Sequence, residues 1–309
     1  MRKVKYKKKN LNVLTVNAFT LILGIVFLIV GDYFQTKDLF IGIFINEVFI
    51  ILIPAFFLSK GGNLKSVLRI NKLSIKNFFR IIFIVILSYP IILLLNGIFL
   101  SLISNFVALK NFSLESLLKD KSIVHYLFYM CLVPSICEEV FFRGALLNSY
   151  DIYGRKFAIF MSAFVFALFH FDIQNFVAPL LLGILFGNLI ELTGSIFAAF
   201  IAHGLNNIIA VITVKSINDN IFNYLKHTSL VRDLGSLQLY IIIILFLFSI
   251  ISVFLIRMIF VKMDRERLIR EQLMEEKIRV RVIESIDFFN FVPIAALIIL
   301  YFIYYGVTF

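Results

Sequence analysis

The sequence predicts an all-α protein, a polytopic transmembrane helical bundle of about 8–9 spans with its active site inside the membrane. Hydrophobic residues make up 61% of the 309 residues and the mean hydropathy is +0.97, far from the roughly half-apolar balance of soluble proteins. Apolar runs of about 20 residues, enough to cross a ~30 Å hydrocarbon core, recur along the chain. Ionisable residues interrupt several runs, and inside a span such residues mark a functional site by default.

The apolar runs predict spans at 11–31, 39–59, 80–104, 123–149, 157–171, 176–192, 195–214, 237–260 and 288–306. Arg2, Lys3 and four further lysines precede the first span, which places the N-terminus in the cytoplasm because Lys and Arg are enriched on that side. Alternation of sides then puts the basic loops at 60–80 and 155–156 in the cytoplasm as well. The Lys-rich, Trp-free composition favours a multi-pass protein of a bacterial plasma membrane, surrounded by membrane lipid.

No repeat, linker or low-complexity tract divides the chain, so residues 1–309 are predicted to form a single polytopic membrane domain. Its predicted catalytic core is 123–214, where the polar residues concentrate, while the first two spans and the last are expected to be peripheral to the chemistry. The segment 257–285 carries Glu266 and Arg270 at i,i+4 spacing and is predicted to be a cytoplasmic amphipathic helix. Basic loops beside a membrane account for the net charge of +11, so no nucleic-acid partner is expected.

Two adjacent carboxylates, Glu138 and Glu139, lie in the fourth predicted span with Arg143 one helical turn later. Adjacent helical residues point about 100° apart, whereas residues four apart share a face. Glu139 and Arg143 are therefore predicted to form an internal ion pair. Glu138 points to another face, where no basic residue lies one turn away, and is predicted to be a general base.

Two histidines and an asparagine on later spans are the predicted partners of Glu138. Helix rise places Glu138 at ~16 Å, His170 at ~20 Å and His203 at ~12 Å from the cytoplasmic ends of their spans, in one band of depth. His203 and Asn207 are spaced i,i+4 and are predicted to stabilise an oxyanion, while His170 completes a water site opposite Glu138. This interpretation requires no cofactor. Glu138, His170 and His203 are alternatively a ligand set for a divalent metal such as zinc.

Three short motifs in these spans resemble those of a known family, in matching order. The run EEVFFRGALL at 138–147 resembles an EExxxR motif, FVFALFH ending at His170 resembles FxxxH, and HGLNN starting at His203 resembles HxxxN. Together they resemble the CAAX protease and bacteriocin-processing (CPBP, or Abi) family of intramembrane peptidases, related to type II CAAX prenyl endopeptidases. The resemblance covers roughly 123–214.

The resemblance implies an endopeptidase, glutamate-type or metal-dependent, that acts on a protein or peptide substrate. It implies these roles: water activation by Glu138 and His170, oxyanion support by His203 and Asn207, and organisation of the site or substrate by Glu139, Arg143 and Phe166. A non-proteolytic membrane scaffold or bacteriocin-immunity protein of the same fold is the alternative. Glu47 in the second span and Asp172 after the FxxxH motif are ionisable residues to which the sequence assigns no role.

Overall fold

A computed structural model describes residues 11–60, 62–107, 122–216, 234–273 and 284–308, and all the regular secondary structure in these ranges is helical. The α-helices are α1 (Val13–Val26), α2 (Asp32–Lys37), α3 (Leu39–Phe44), α4 (Ile53–Ser59), α5 (Leu64–Val67), α6 (Ile75–Ile103), α7 (Ile123–Tyr126), α8 (Val133–Glu139), α9 (Leu147–Tyr150), α10 (Arg155–Leu168), α11 (Val177–Thr193), α12 (Phe197–Ser216), α13 (Leu234–Leu273) and α14 (Val292–Thr308). Short 3₁₀ helices cover Asp151–Tyr153, Ile173–Asn175 and Phe288–Phe291.

Wider π-helical turns join several of these α-helices into longer rods, at Phe27–Gly31, Ile45–Leu52, Leu127–Leu132 and Val140–Leu146. Pro54 and Pro134 are the second residues of the α-helical segments that follow two of them. Proline has no N–H to donate and its ring crowds the preceding turn, so the local ladder is rearranged there. Such π-helical turns are common at functional sites, and two of them carry Glu47 and Arg143.

Seven helices in the described ranges are long and apolar enough to cross a membrane: Val13–Lys37, Leu39–Ser59, Ile75–Ile103, Ile173–Thr193, Phe197–Lys215, Ile242–Gln272 and Phe288–Tyr305. The predicted all-α, multi-pass architecture is confirmed, and a total of 8–9 spans is compatible with it. The two remaining predicted spans correspond to the rod from α7 to α9, which carries two carboxylates and a guanidinium, and to α10, which has only 14 residues. The basic residues before Leu11 lie outside the described ranges.

One end of the bundle is fastened by ion pairs between segments that are distant in sequence. Arg69, held at a positive φ of 52°, reaches Asp151 at 3.2 Å and Glu191 at 3.0 Å. Arg155 contacts the second oxygen of Glu191 at 2.8 Å. The loop before α6, the end of α9 and the end of α11 therefore meet at the same end of the bundle. This agrees with the predicted topology, which puts all three on one side of the membrane.

The long helix α13 is tied to the same end through Glu266 and Arg270. Glu266 pairs with Lys76 at 2.8 Å and with Arg80 at 2.6 Å, while Arg270 donates to the carbonyl oxygens at the end of α11. The i,i+4 spacing of Glu266 and Arg270 does not pair them with each other, because each binds another helix. In the segment 257–285, the described part up to residue 273 continues the spanning helix without a break, and 274–283 lie outside the described ranges.

Candidate active site

The predicted polar residues come from the rod α7–α9, the C-terminal turn of α10 and the middle of α12. Glu139 and Arg143 are both fully buried, and Arg143 Nη1 donates to Glu139 Oε1 at 2.9 Å. The predicted internal ion pair is therefore present. The same Glu139 oxygen also contacts His203 Nδ1 at 2.9 Å, an interaction that sequence spacing did not indicate.

The contact with Glu139 fixes how His203 is presented. A carboxylate oxygen only accepts, so His203 donates from Nδ1 and its other nitrogen is turned the opposite way. That nitrogen, Nε2, lies 3.6 Å from Glu138 Oε2. The adjacent glutamates are thus divided as predicted, with Glu139 bound to Arg143 and Glu138 on another face, but the imidazole of His203 lies between their carboxylates.

Aromatic faces enclose the charged pair. The Arg143 guanidinium carbon lies 4.3 Å from the ring centre of Phe166 and 5.5 Å from that of Phe186. Phe186 also stacks on His203, with ring centres 5.3 Å apart. A Cβ at Gly183 would lie only 2.9 Å from Arg143 Nη2, so glycine lets α11 approach the guanidinium. Cation–π contacts of this kind partly replace the solvation that a buried arginine loses.

Glu138 has a second carboxyl neighbour, from the second span. Glu47, in the π-helical turns Ile45–Leu52, is only 6% exposed, and its carboxyl group lies close enough to that of Glu138 for the two to interact. Its Oε2 atom is buried with no hydrogen-bond partner among the described residues. The second span, expected to be peripheral to the chemistry, therefore reaches Glu138, the predicted base. The signal in the sequence was an ionisable residue at membrane depth, which lacked a surrounding motif.

His170 lies in the turn that ends α10. Its Nδ1 donates to the carbonyl oxygen of Phe166 at 3.0 Å, because a carbonyl only accepts, and this leaves Nε2 as the acceptor. Among the hydrogen bonds of the described residues, none joins Asp172 to the His170 imidazole. The Asp172 side chain accepts a hydrogen bond from Gln174 N at 2.9 Å and so caps a 3₁₀ helix. The side chain of Asp172, to which the sequence assigned no role, is therefore a helix cap.

Between His170 and Asp172, Phe171 adopts a positive φ of 46°, which is rare for a bulky residue. Its ring is 5% exposed and stacks on Phe27 of the first rod and on Tyr301 of α14, with ring centres 6.1 Å apart in both pairs. Packing against the first and last helices thus holds the turn that presents His170. No sequence pattern singles out Phe171.

A cavity of about 270 Å³ adjoins these groups. His170, His203 and Asn207 are among the residues that line it, as is Tyr89, beside Pro90 in α6. Glu138 is not among its lining residues, although 16% of the Glu138 side chain is exposed. The structure therefore brings Glu138 to His203, and His203 to the same cavity as His170 and Asn207.

Glu138, His170 and His203 are the alternative ligand set for a divalent metal. Among the described residues, no three His, Cys, Asp or Glu side chains come together in a group that could hold a metal ion. His203 Nδ1 is already bound to Glu139, and His170 Nδ1 to a backbone carbonyl. These contacts leave Nε2 of each ring available, as in many metal-binding histidines, but Glu138, His170 and His203 are not gathered into one ligand group as they stand.

The fold and site together define a multi-pass membrane protein with a buried cluster of carboxylates and imidazoles beside a cavity. Residues 120–209 match the family model described as type II CAAX prenyl endopeptidase Rce1-like. This segment contains all three motifs, so the predicted resemblance to the CPBP family is confirmed over these residues. No curated protein and no solved structure matches the chain.

Proposed function

We propose that this chain is an intramembrane endopeptidase that hydrolyses a peptide bond of a membrane-associated protein or peptide. The observation that carries the proposal is the buried contact of Glu139 with both Arg143 and His203, which turns His203 Nε2 towards Glu138. This cluster adjoins a cavity and lies within the segment that matches a family of endopeptidases. Ionisable groups so costly to bury favour a catalytic role over a purely structural one.

Glu138 is the proposed general base and His170 its partner at the attacking water. Water gives a proton to the Glu138 carboxylate while its oxygen attacks the carbonyl carbon of the scissile peptide. Glu138 then passes that proton to the amide nitrogen as the carbon–nitrogen bond breaks, which leaves a new carboxylate and a free amine. His170 orients the water through Nε2, since its Nδ1 hydrogen is taken by the Phe166 carbonyl.

His203 and Asn207 are the proposed support for the negative charge that develops on the substrate carbonyl oxygen. Both face the cavity, one helical turn apart on α12. Donors held in a water-poor site stabilise such an oxyanion strongly, because they need no reorganisation during the reaction. His203 supplies such a donor at Nε2 when both of its ring nitrogens carry hydrogens, since Glu139 takes the Nδ1 hydrogen. Glu139 and Arg143 act as positioning residues, since Arg143 holds Glu139 and Glu139 holds the His203 ring through Nδ1.

The test compares wild-type protein with Glu138→Gln, which removes a carboxylate without changing its size. Proteomic comparison of membrane and secreted peptides from cells expressing each protein identifies the cleaved substrate. Loss of a general base is expected to lower the cleavage rate about 10²–10⁴-fold. Glu271→Gln, at an exposed carboxylate of α13 that pairs with Arg267, is the matched control and should cleave normally.

Two further arms address the alternatives. Repeating the comparison with a chelator asks whether a divalent metal is needed, which decides between the glutamate-type and metal-dependent descriptions. Full biological activity in a combined Glu138→Gln, His170→Ala and His203→Ala variant, at normal protein level, would instead support the non-proteolytic scaffold. Equal cleavage by wild type and Glu138→Gln would refute the assigned base.

We further propose that the protein lies in a bacterial plasma membrane with its N-terminus in the cytoplasm. The gathering of Arg69, Arg155, Lys76 and Arg80 at one end of the bundle supports this, since basic residues concentrate on the cytoplasmic side. A cysteine introduced at Lys65 should react with a membrane-impermeant maleimide only after the cells are permeabilised. Labelling of Lys65→Cys in intact cells would show that the opposite orientation is correct.

A further inference from the structure

The amide of Asn207 makes two hydrogen bonds that both depend on which way the amide is turned. Its Nδ2 donates to the backbone carbonyl of Met130 at 3.1 Å, and its Oδ1 accepts from Asn206 Nδ2 at 3.2 Å. Asn206 is half-buried and lines the same cavity as His203 and Asn207. On sequence alone, Asn206 is more easily explained as a polar contact between membrane helices.

These contacts select one of the two orientations that an asparagine amide can adopt. A backbone carbonyl only accepts and Asn206 Nδ2 only donates, so both neighbours require Asn207 Nδ2 on the side of Met130 and Oδ1 on the side of Asn206. An Asn207 amide turned over would place two oxygens together at Met130 and two donors together at Asn206. Each neighbour therefore opposes the same flip.

The selected orientation matters for the chemistry at the cavity. The amide nitrogen carries two hydrogens, and the contact with Met130 uses one of them. The Asn207 oxygen is meanwhile occupied by Asn206, so the group that Asn207 has left to offer is a hydrogen-bond donor. A developing oxyanion requires a donor, and an amide turned the other way would present an oxygen that repels it.

We propose that Asn206 is a positioning residue that holds the amide of Asn207 in its donor orientation. The proposal rests on the oxyanion role of Asn207 in the proposed function. Asn206 acts through Asn207 and does not touch the reacting atoms. Its removal is therefore expected to slow the chemical step while leaving the binding of the substrate nearly unchanged.

The test uses Asn206→Asp and Asn206→Leu in the full-length protein, reconstituted in lipid vesicles. The probe is a quenched-fluorescent peptide that contains the cleavage site found in the proteomic comparison. Asn206→Asp keeps the shape of the side chain but replaces the donor by an acceptor beside Asn207 Oδ1. We expect kcat to fall roughly 3- to 10-fold in Asn206→Leu, the effect of one hydrogen bond, and further in Asn206→Asp, with KM within about twofold.

The decisive measurement repeats both substitutions in an Asn207→Ala background. If Asn206 acts through Asn207, neither substitution lowers kcat further there, and the effects are not additive. The same fold loss in both backgrounds would overturn the proposal, because Asn206 would then act on its own. Unchanged kcat in both single variants would also overturn it.

Two controls separate this inference from other failures. Wild type and Glu138→Gln are compared first, and equal rates in these two would refute the proposed function instead of the role of Asn206. Thermal unfolding in detergent monitors folding. Should Asn206→Asp unfold, Asn206→Gln retains an amide donor on a longer side chain, and the proposal expects it to exceed Asn206→Leu in kcat; equal kcat in these two would overturn it.

Discussion

The buried ion pair between Glu139 and Arg143 allows a quantitative test of how the site is held together. Both side chains are completely buried, and their contact is 2.9 Å. Removing one partner of such a pair leaves an uncompensated charge inside the protein, which destabilises by about 3–5 kcal/mol. Glu139→Gln removes the carboxylate charge with no change of size, and Arg143→Met removes the guanidinium while keeping an unbranched chain.

The two single substitutions are expected to differ because their surroundings differ. In Arg143→Met the Glu139 carboxylate keeps His203 Nδ1 at 2.9 Å, so the loss should lie near 3 kcal/mol, the lower end of that range. In Glu139→Gln the guanidinium keeps mainly ring faces, such as Phe166 at 4.3 Å, and the loss should lie near 5 kcal/mol. The double substitution buries neither charge and should lose only about 1–2 kcal/mol.

The free energy of unfolding is measured by SDS titration in mixed micelles, followed by far-ultraviolet circular dichroism because the chain has no Trp. The matched control is Arg267→Met with Glu271→Gln, an i,i+4 pair on α13 that is partly exposed at 15% and 54%. That control should change stability by less than about 1 kcal/mol. Single-substitution losses below about 1 kcal/mol at Glu139 and Arg143, or a double loss equal to the sum of the singles, would refute the reasoning.

Three further predictions concern residues around this pair. Glu47→Leu should lower kcat/KM at least roughly tenfold, or about 1.4 kcal/mol, because the Glu138 carboxyl loses its neighbour. Glu47→Gln retains a hydrogen-bonding group and should lose less activity. Equal losses of kcat/KM in peptide cleavage assays would contradict this prediction. Phe171→Ala should lower the melting temperature and kcat together through a packing loss of about 3–5 kcal/mol. Phe171→Leu should recover most of both quantities. Unchanged kcat in Phe171→Ala would show that the turn does not position His170. Asp172→Ala should destabilise the protein by about 1 kcal/mol in the same SDS titration and leave the cleavage rate unchanged. Asp172→Ser should restore the cap. A large loss of cleavage in Asp172→Ala would assign Asp172 to the chemistry instead.

The parts of the site that follow from helix geometry alone were predictable. Glu139 and Arg143 are four residues apart, and that spacing brings side chains together on a helix without reference to the remainder of the chain. The separation of Glu138 from Glu139 has the same local origin. The span positions likewise follow from apolar runs of sufficient length, and seven of the nine predicted spans correspond to helices of spanning length.

The parts that depend on long-range packing were not predictable. The contact of Glu47 with Glu138 joins residues in different spans, and nothing in the local pattern around Glu47 indicates which helix it faces. The same holds for Glu266, which pairs with Arg80 of α6 and not with Arg270, one turn away on its own helix. The positive φ of Phe171 is a third case, since sequence rules assign that conformation to glycine or asparagine rather than phenylalanine.

The segment that matches the family model supplies the polar groups of the site but not all of its surroundings. Glu47 beside Glu138, Tyr89 in the wall of the cavity, and Phe27 and Tyr301 around Phe171 all lie outside 120–209. Buried charges act strongly only where water is excluded, so the helices beyond the matched segment help to set how strongly the Glu139 and His203 contacts act. Substitutions in those helices should therefore alter catalysis even where the three motifs are intact, and an active site judged by its motifs alone would be incomplete.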